Sequence, residues 1–507
     1  MSAEADRAGL VKWSKSLMNE GFRELKWTYP LCYNQNGECM YSNINKNINK
    51  NINEINRLLR VNESFDLVYR TFNIAGYKAC IYFIDGFVKD EIMQKILESF
   101  IDIDEKSFPD SAYEFIKERV PYVEVDLSDN IEKLKSGILS GNTCLLIDNY
   151  AKGILIDCRT YPARGVEEPD KDKVLRGSRD GFVETIVMNA ALIRRRIRSE
   201  YLTIEMHNVG TLSKTDVAIV FMENKVNKKL LNDIRNRIDN IKVESLTMNQ
   251  ESLAECLYKG KWYNPFPKYK YTERPDATSS AILEGHVVIL VDNSPSAMIL
   301  PTNFFDVIEE PDDFYFPPIT GTYLRLTRAI ISVFALILTP LYLLFTMNPH
   351  FVPEWLEFIL ITEEINVPII IQLLILEIAI DGLKLAAVNT PNMLNTPLSI
   401  IAGLVLGQQA VESGWFNSEV ILYMAFVAFA NFTHGSFELG YALKFFRIML
   451  LVLTSLFDLW GFIGGCIIIV IALFTNKTVA DEYYAYPLFP LNIKELFKKF
   501  IRTRKNR

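Results

Sequence analysis

Histidine and paired cysteine are scarce in this chain. Four histidines (207, 286, 350 and 434) are scattered over 507 residues, and no two of the seven cysteines form a C-x-x-C pair. A zinc centre needs clustered ligands and a disulfide framework needs regular spacing, so neither is supported. Cys32, Cys39, Cys80, Cys144, Cys158, Cys256 and Cys466 read as free, mostly buried thiols in a reducing compartment. The motifs G-x-S-x-G, H-E-x-x-H and G-x-x-x-x-G-K-[ST] are all missing, so catalysis has no footing; no enzyme activity and no cofactor are expected. The segment RGSRDG (176–181) lacks the strand–G-x-G-x-x-G–helix context of a nucleotide loop. Nor does the N-terminus, MSAEADRAGLVKWSKSLMNEGFRELKW, hold the apolar core of a signal peptide, which leaves residues 1 to about 325 on the cytosolic side.

Long uncharged runs are present, all in the last third. Ala329 to Met347 carries no charge and, at ~1.5 Å per helical residue, just spans a hydrocarbon core of ~30 Å. Pro340 lies inside it. An acidic loop follows (Glu354, Glu357, Glu363, Glu364), then a second run, Val367 to Val388, that holds Glu377, Asp381 and Lys384. These three fall at i, i+4 and i+7, hence on one helical face. Ionisable groups at membrane depth are costly and turn toward a partner or water. Two readings stand: a carboxylate pairs with Lys384 as glue between helices, or an oligomer repeats this face into carboxylate rings lining a cation path.

The third run, 397–414, places Gly403 and Gly407 at a G-x-x-x-G spacing and ends in Gln408 and Glu412; it crosses the membrane fully or only in part. Residues 418–432 form a fourth. Residues 439–474 are one broken helix or a hairpin, with the break expected at Trp460-Gly461 or Gly464-Gly465. Beside it Asp458 is an interior charge in need of a partner, while Lys444 and Arg447 would snorkel to the cytosolic face. Arg325 and Arg328 before the first run, and seven basic residues from Lys494 to Arg507, read as positive-inside, so both ends are cytosolic.

The first two thirds read differently. NINKNINKNINEIN (43–56) is low in complexity, yet Ile44, Ile48, Ile52 and Ile55 form one helical stripe. KACIYFIDGFV (78–88) is a strand leading to a helix near Asp90, and NTCLLIDNYAKGILIDCRT (142–160) is a β-hairpin. GFVETIVMNAALIRRRIRS is a helix ending in Arg194, Arg195, Arg196 and Arg198. Strands LTIEMHNVG, DVAIVFMEN and HVVILVDN follow, with a helix LLNDIRNRIDNI among them. The arginine cluster reads as a solvated face or as a donor of salt bridges between subunits of an oligomer, and nucleic acid is not an expected partner. The fold class is therefore an α/β soluble N-terminal region of two small subdomains followed by an α-helical polytopic membrane domain. Its parts are an N-terminal helical, low-complexity segment (1–60), subdomain one (61–170), subdomain two (171–322), a membrane domain with five or six apolar segments (323–476) and a basic cytosolic tail (477–507).

Three runs, VLRGSRDGFVETIVMNAALIRRRIR, VGTLSKTDVAIVF and YTERPDATSSAILEGHVVILVDNSP, resemble the spore germination protein family typified by germinant-receptor A subunits. So does IAGLVLGQQAVESGWFNSEVILYMAFVAFANFT with ELGYALKFFR, and the likeness runs from about residue 60 to 490. It implies a spore inner-membrane protein whose N-terminal region faces the spore core. It further implies an oligomeric ion channel releasing monovalent cations, with other spore membrane germination proteins as partners. Glu377, Asp381, Gln408 and Glu412 are then the pore candidates. The chain departs from the receptor pattern at Asn293, where receptors carry glycine, and in IALFTNKTVADEYYAYPLFPLN after the last span. Both departures favour a member that amplifies germination over a nutrient sensor; a receptor A-type subunit and a non-conducting scaffold are the alternatives.

Overall fold

The computed structural model describes residues 43–101, 103, 105, 108–161, 177–258, 264–361, 364–389, 403–433 and 435–502. The expectations for the first 42 residues, Glu363, His434, the start of the glycine-bearing run and the tail past Arg502 lie outside these.

Each half of the N-terminal region is built on a five-stranded antiparallel sheet. The first comprises β1 (Leu67–Ile74), β2 (Tyr77–Ile84), β3 (Val125–Ser128), β4 (Thr143–Ile147) and β5 (Gly153–Ile156), in the order β1-β2-β4-β5-β3. The second comprises β6 (Leu202–Val209), β7 (Thr215–Met222), β8 (Lys270–Thr272), β9 (Val287–Val291) and β10 (Ala297–Leu300), in the order β6-β7-β9-β10-β8. Strand for strand this is one topology used twice: a hairpin, two helices, an edge strand, a third helix and a second hairpin. The sheets are covered on both faces. Helices α1 (Ile48–Leu59) and α4 (Ile131–Leu139) pack on one side of the first, and α2 (Asp90–Ile101) and α3 (Ala112–Arg119) on the other. In the second, α5 (Ile186–Arg196) and α8 (Pro275–Glu284) lie opposite α6 (Lys228–Asp239) and α7 (Asn249–Leu257). Double coverage explains why β4 and β9 are apolar without alternation, since every side chain is buried.

The NIN repeat is helical for the reason its stripe suggests. Asn47 caps α1, and Ile48, Ile52, Ile55 and Leu59 enter the core of the first sheet. Asn51, buried among them, is satisfied by exchanging two hydrogen bonds with the Asn45 backbone.

Arg194 corrects the expectation for the arginine cluster. It is fully buried, and its guanidinium donates to both Asp66 oxygens (2.6 and 3.0 Å), to Ser64 Oγ and to the carbonyls of Ser199 and Leu202. It joins the two sheet subdomains within one chain and, fully buried, is out of reach of a second copy. Arg196 is spent on Asp180 and Ser178. Arg195 and Arg198 stay exposed beside Tyr161, the Arg195 guanidinium lying 4.6 Å from its ring centre.

The helical part begins after α9 (Phe304–Ile308) with α10 (Pro318–Met347). It continues with α11 (Ile369–Asn389), a π-helical segment at Gly403–Gln409 extended by Ala410–Glu412, α12 (Ser418–Phe432), α13 (Phe437–Phe474) and α14 (Ile493–Phe500). α13 is a hairpin. Asp458 leaves helical geometry (φ 55°, ψ −133°), and the two arms then lie side by side. A Cβ on Gly461 would sit 1.9 Å from the Leu453 carbonyl oxygen, whereas eight positions of straight helix separate residues by ~12 Å. Ile469 and Leu473 accordingly pack beside Leu439, Ala442 and Leu443.

Removing the subdomain joint has a defined cost. Arg194→Ala leaves Asp66 buried and unpaired and should lower stability by about 3–5 kcal/mol, read as the midpoint of denaturant unfolding of the full chain in detergent. Arg195→Ala should change it by less than about 0.5 kcal/mol.

Candidate functional site in the helical domain

Two carboxylates and two cations meet in the middle of the helical domain. α11 places Glu377 and Asp381 one turn apart, and the first arm of α13 places Lys444 and Arg447 one turn apart facing them. Arg447 grips Glu377 in a two-pronged pair (2.6 and 2.9 Å) and gives a third bond, 2.7 Å, to the Ala335 carbonyl of α10. Lys444 donates to Asp381, to the Glu377 carbonyl at 2.9 Å, and lies 3.4 Å from the Glu377 carboxylate. Glu377 is 2% exposed and Arg447 fully buried. Burying either sign alone would be prohibitive, and the equal count makes the cluster neutral.

Several expectations change here. Lys384 does not neutralise the carboxylates of its own helix; it sits over the rings of Phe432 (5.1 Å) and Tyr441 (6.0 Å). Lys444 and Arg447 do not snorkel to a surface, because two buried carboxylates draw them inward. Glu377, saturated by its partners, lines no open path within the chain. Asp381 is intermediate: one oxygen meets Lys444, and Oδ1 is buried without a partner. Asp458 receives a hydrogen bond from the Asn348 amide at the distal end of the bundle, away from the sheets. Gln408 and Glu412 are exposed and bonded to each other at 2.9 Å. A Cβ added at Gly403 or Gly407 would meet nothing within 4 Å among the described residues.

The residues that sequence reading passed over are mainly amides. Gln372 and Asn417 exchange two hydrogen bonds (2.8 and 2.9 Å) and clasp the start of α11 to the start of α12. The polar residue in each apolar run was the available signal, but its partner, 45 positions away, was not.

A second charged cluster ties the bundle to the sheets. Asp313, fully buried, pairs with Arg325 and Arg328, so these arginines are structural rather than free flanking charges. Lys499 of α14 reaches Asp306 and Glu309, and Arg502 donates to the carbonyls of Asp313 and Phe314 (2.8 and 2.7 Å). Lys268 is buried there against Asn476 and the Lys477 carbonyl, and desolvation pushes its amine down to about 8.

Two described helical stretches, α10 and α13, are long and apolar enough to cross a membrane. The profile of the Bacillus/Clostridium GerA spore germination protein family matches residues 53–507, and the chain is a member of that family. It is 35% identical over 443 residues to stage V sporulation protein AF of Bacillus subtilis (strain 168), covering 87% of this chain and 90% of that one. Spore germination protein KA of the same organism is 24% identical over 440 residues, covering 85% and 80%. The crystal structure of the N-terminal domain of the A subunit of the Bacillus megaterium spore germinant receptor GerK3 is 26% identical. It spans 52% of this chain and 98% of its own, at a TM-score of 0.40.

Glu377→Gln should destabilise the chain by about 3–5 kcal/mol, because Arg447 loses its counter-charge. Glu377→Leu combined with Arg447→Leu should cost clearly less, since Asp381 and Lys444 still balance; thermal unfolding in detergent measures both. Lys268 gives a pH signature of defined sign. Its folded value lies below the ordinary 10.5, so the unfolded chain binds more protons between about pH 8 and 10.5 and this residue's contribution to stability rises through that window. Lys268→Met should remove that rise, seen as the difference between wild-type and variant melting curves.

Proposed function

We propose that this protein is a multi-pass membrane subunit of an oligomeric cation channel acting in spore germination, amplifying the response rather than detecting the nutrient. Family membership supplies the germination role. The observation that carries the channel reading is the segment 403–412, where the exposed pair Gln408 and Glu412 follows two glycines at which an added Cβ would meet nothing among the described residues. Exposed polar groups on an otherwise apolar helical surface need water or another chain. A ring of copies around this segment supplies both, with Gly403 and Gly407 meeting a neighbouring helix and the carboxylate facing an aqueous path. Glu377, Lys444 and Arg447 then form the fixed strut behind that path, and Asp381 keeps one carboxylate oxygen without a partner. The sheets and the C-terminal tail face the spore core, and the distal turn at Asp458 faces away.

One observation favours a second reading, a germinant-receptor A-type subunit. Asn293 has φ 61°, in the left-handed region that glycine and asparagine both occupy readily. Its replacement of the receptors' glycine keeps the turn after β9 and no longer counts against that reading. The divergent run 472–485 still does.

Potassium efflux from vegetative cells expressing the protein, alone and with a candidate partner membrane protein, separates the readings. Glu412→Gln with Gln408→Leu should reduce efflux about tenfold or more at unchanged membrane level and oligomer size. Efflux that appears only with added nutrient would favour the receptor subunit. No efflux in any combination would favour the scaffold.

A further inference from the structure

Beneath α14 lies an apolar cavity of about 280 Å³. Ala329, Val333 and Leu336 of α10 and Leu443, Ile469 and Leu473 of the α13 hairpin form its walls, and Phe500 of α14 roofs it. The charges at its rim are spent on each other: Arg325 on Glu309 and Asp313, and Lys499 on Asp306 and Glu309. Water held inside would need two to four polar partners; apart from the rim charges the walls offer one, Ser332, whose hydroxyl already donates to the Arg328 carbonyl, so an apolar occupant is the one that gains.

The cavity opens sideways. Val333 is more than half exposed, and Ile330 and Phe334 beside it on α10 are exposed too. If α10 and α13 span a bilayer, as proposed above, this opening faces acyl chains just beneath the headgroups. The outer surface of α14 fits that depth. Ile493 and Phe497, one turn apart, are 72% and 56% exposed, and Lys494 and Lys498 lie exposed beside them, with Glu495 offsetting only one charge. An apolar strip flanked by lysines is the pattern of a helix lying in the plane of an anionic interface.

We propose that the cavity binds one acyl chain of an anionic phospholipid whose headgroup phosphate is held by Lys494 and Lys498. The inference rests on the membrane reading of α10 and α13. Bound there, the lipid props α14 in the position from which Lys499 and Arg502 grip the junction of sheets and bundle, making that junction sensitive to the lipid beside it.

The test uses the full chain in nanodiscs of phosphatidylcholine mixed with phosphatidylglycerol, one or the other brominated on its acyl chains. Two single-tryptophan forms are compared. One retains only Trp460, 79% exposed beside the distal turn; the other replaces every native tryptophan with phenylalanine and carries Phe500→Trp. Brominated phosphatidylglycerol should quench the introduced indole about twofold or more beyond brominated phosphatidylcholine, and Lys494→Glu with Lys498→Glu should abolish the difference. Quenching of Trp460 by either lipid reports that the bundle is in the bilayer. Trp460 quenched while the introduced indole is spared, or is quenched equally by both lipids, overturns the lipid site alone. Trp460 unquenched overturns the membrane reading and the site with it. Native mass spectrometry of the unsubstituted chain from the same discs should show retained phosphatidylglycerol that Ala329→Phe displaces; loss of the lipid from wild-type under those conditions also overturns the proposal.

Discussion

The helical domain is organised around the neutralisation of Glu377. A carboxylate in the middle of an apolar bundle is unacceptable unless opposite charge reaches it with good geometry. Arg447 supplies that geometry and also binds the Ala335 carbonyl, so one guanidinium fixes α10, α11 and the first arm of α13 together. Asp381 and Lys444 repeat the pairing a turn away. The bundle is held in register by directional bonds and not by apolar contact alone.

The N-terminal region solves a different problem with the same device. Its two sheets share a topology and a sandwich of helices, so each has its own core, and apolar contact between the two is confined to a few side chains such as Ala191 and Phe65. Orientation comes from Arg194, which leaves the end of α5 to reach Asp66 at the entrance to β1, reinforced by the Phe65 backbone bonding Ile204 of β6. At the next junction, Asp313 with Arg325 and Arg328 does the equivalent for sheets and bundle. Three buried ion clusters thus fix three joints: one between the sheets, one between sheets and bundle, and one within the bundle.

What was legible in the sequence follows from the range of the interactions. The isoleucine stripe of α1, the hairpin of β4 and β5 and the uncharged run of α10 are local patterns, and each appears where its periodicity places it. The charged triplet at 377, 381 and 384 was visible as an anomaly, but helical spacing suggested Lys384 as the partner, when the cations come from Lys444 and Arg447 more than 60 positions on. Likewise Arg194 looks like one of four arginines at a solvated helix end; only the placement of Asp66, 128 positions earlier, makes it different. The duplicated sheet topology left only a short trace, SGILSGNTCLLIDN (136–149) against SAILEGHVVILVDN (280–293), which the sequence reading passed over; elsewhere the two cores are filled by different apolar side chains of suitable volume.

This distribution of strong and weak contacts bears on how the protein could switch. Elements pinned by charge-assisted bonds in a dry interior do not slide by degrees; they hold or let go. The strut of α10, α11 and the α13 hairpin is of that kind. Segment 403–412 is not: among the described residues nothing packs where a Cβ of its glycines would lie, its polar pair bonds within its own turn, and its π-helical hydrogen bonding is the less stable sort. A conformational change confined to that segment needs no buried ion pair to break, whereas one that tilted α11 would have to separate Glu377 from Arg447. The lower barrier therefore lies where the polar groups are exposed, and the charged centre serves as the frame against which they move.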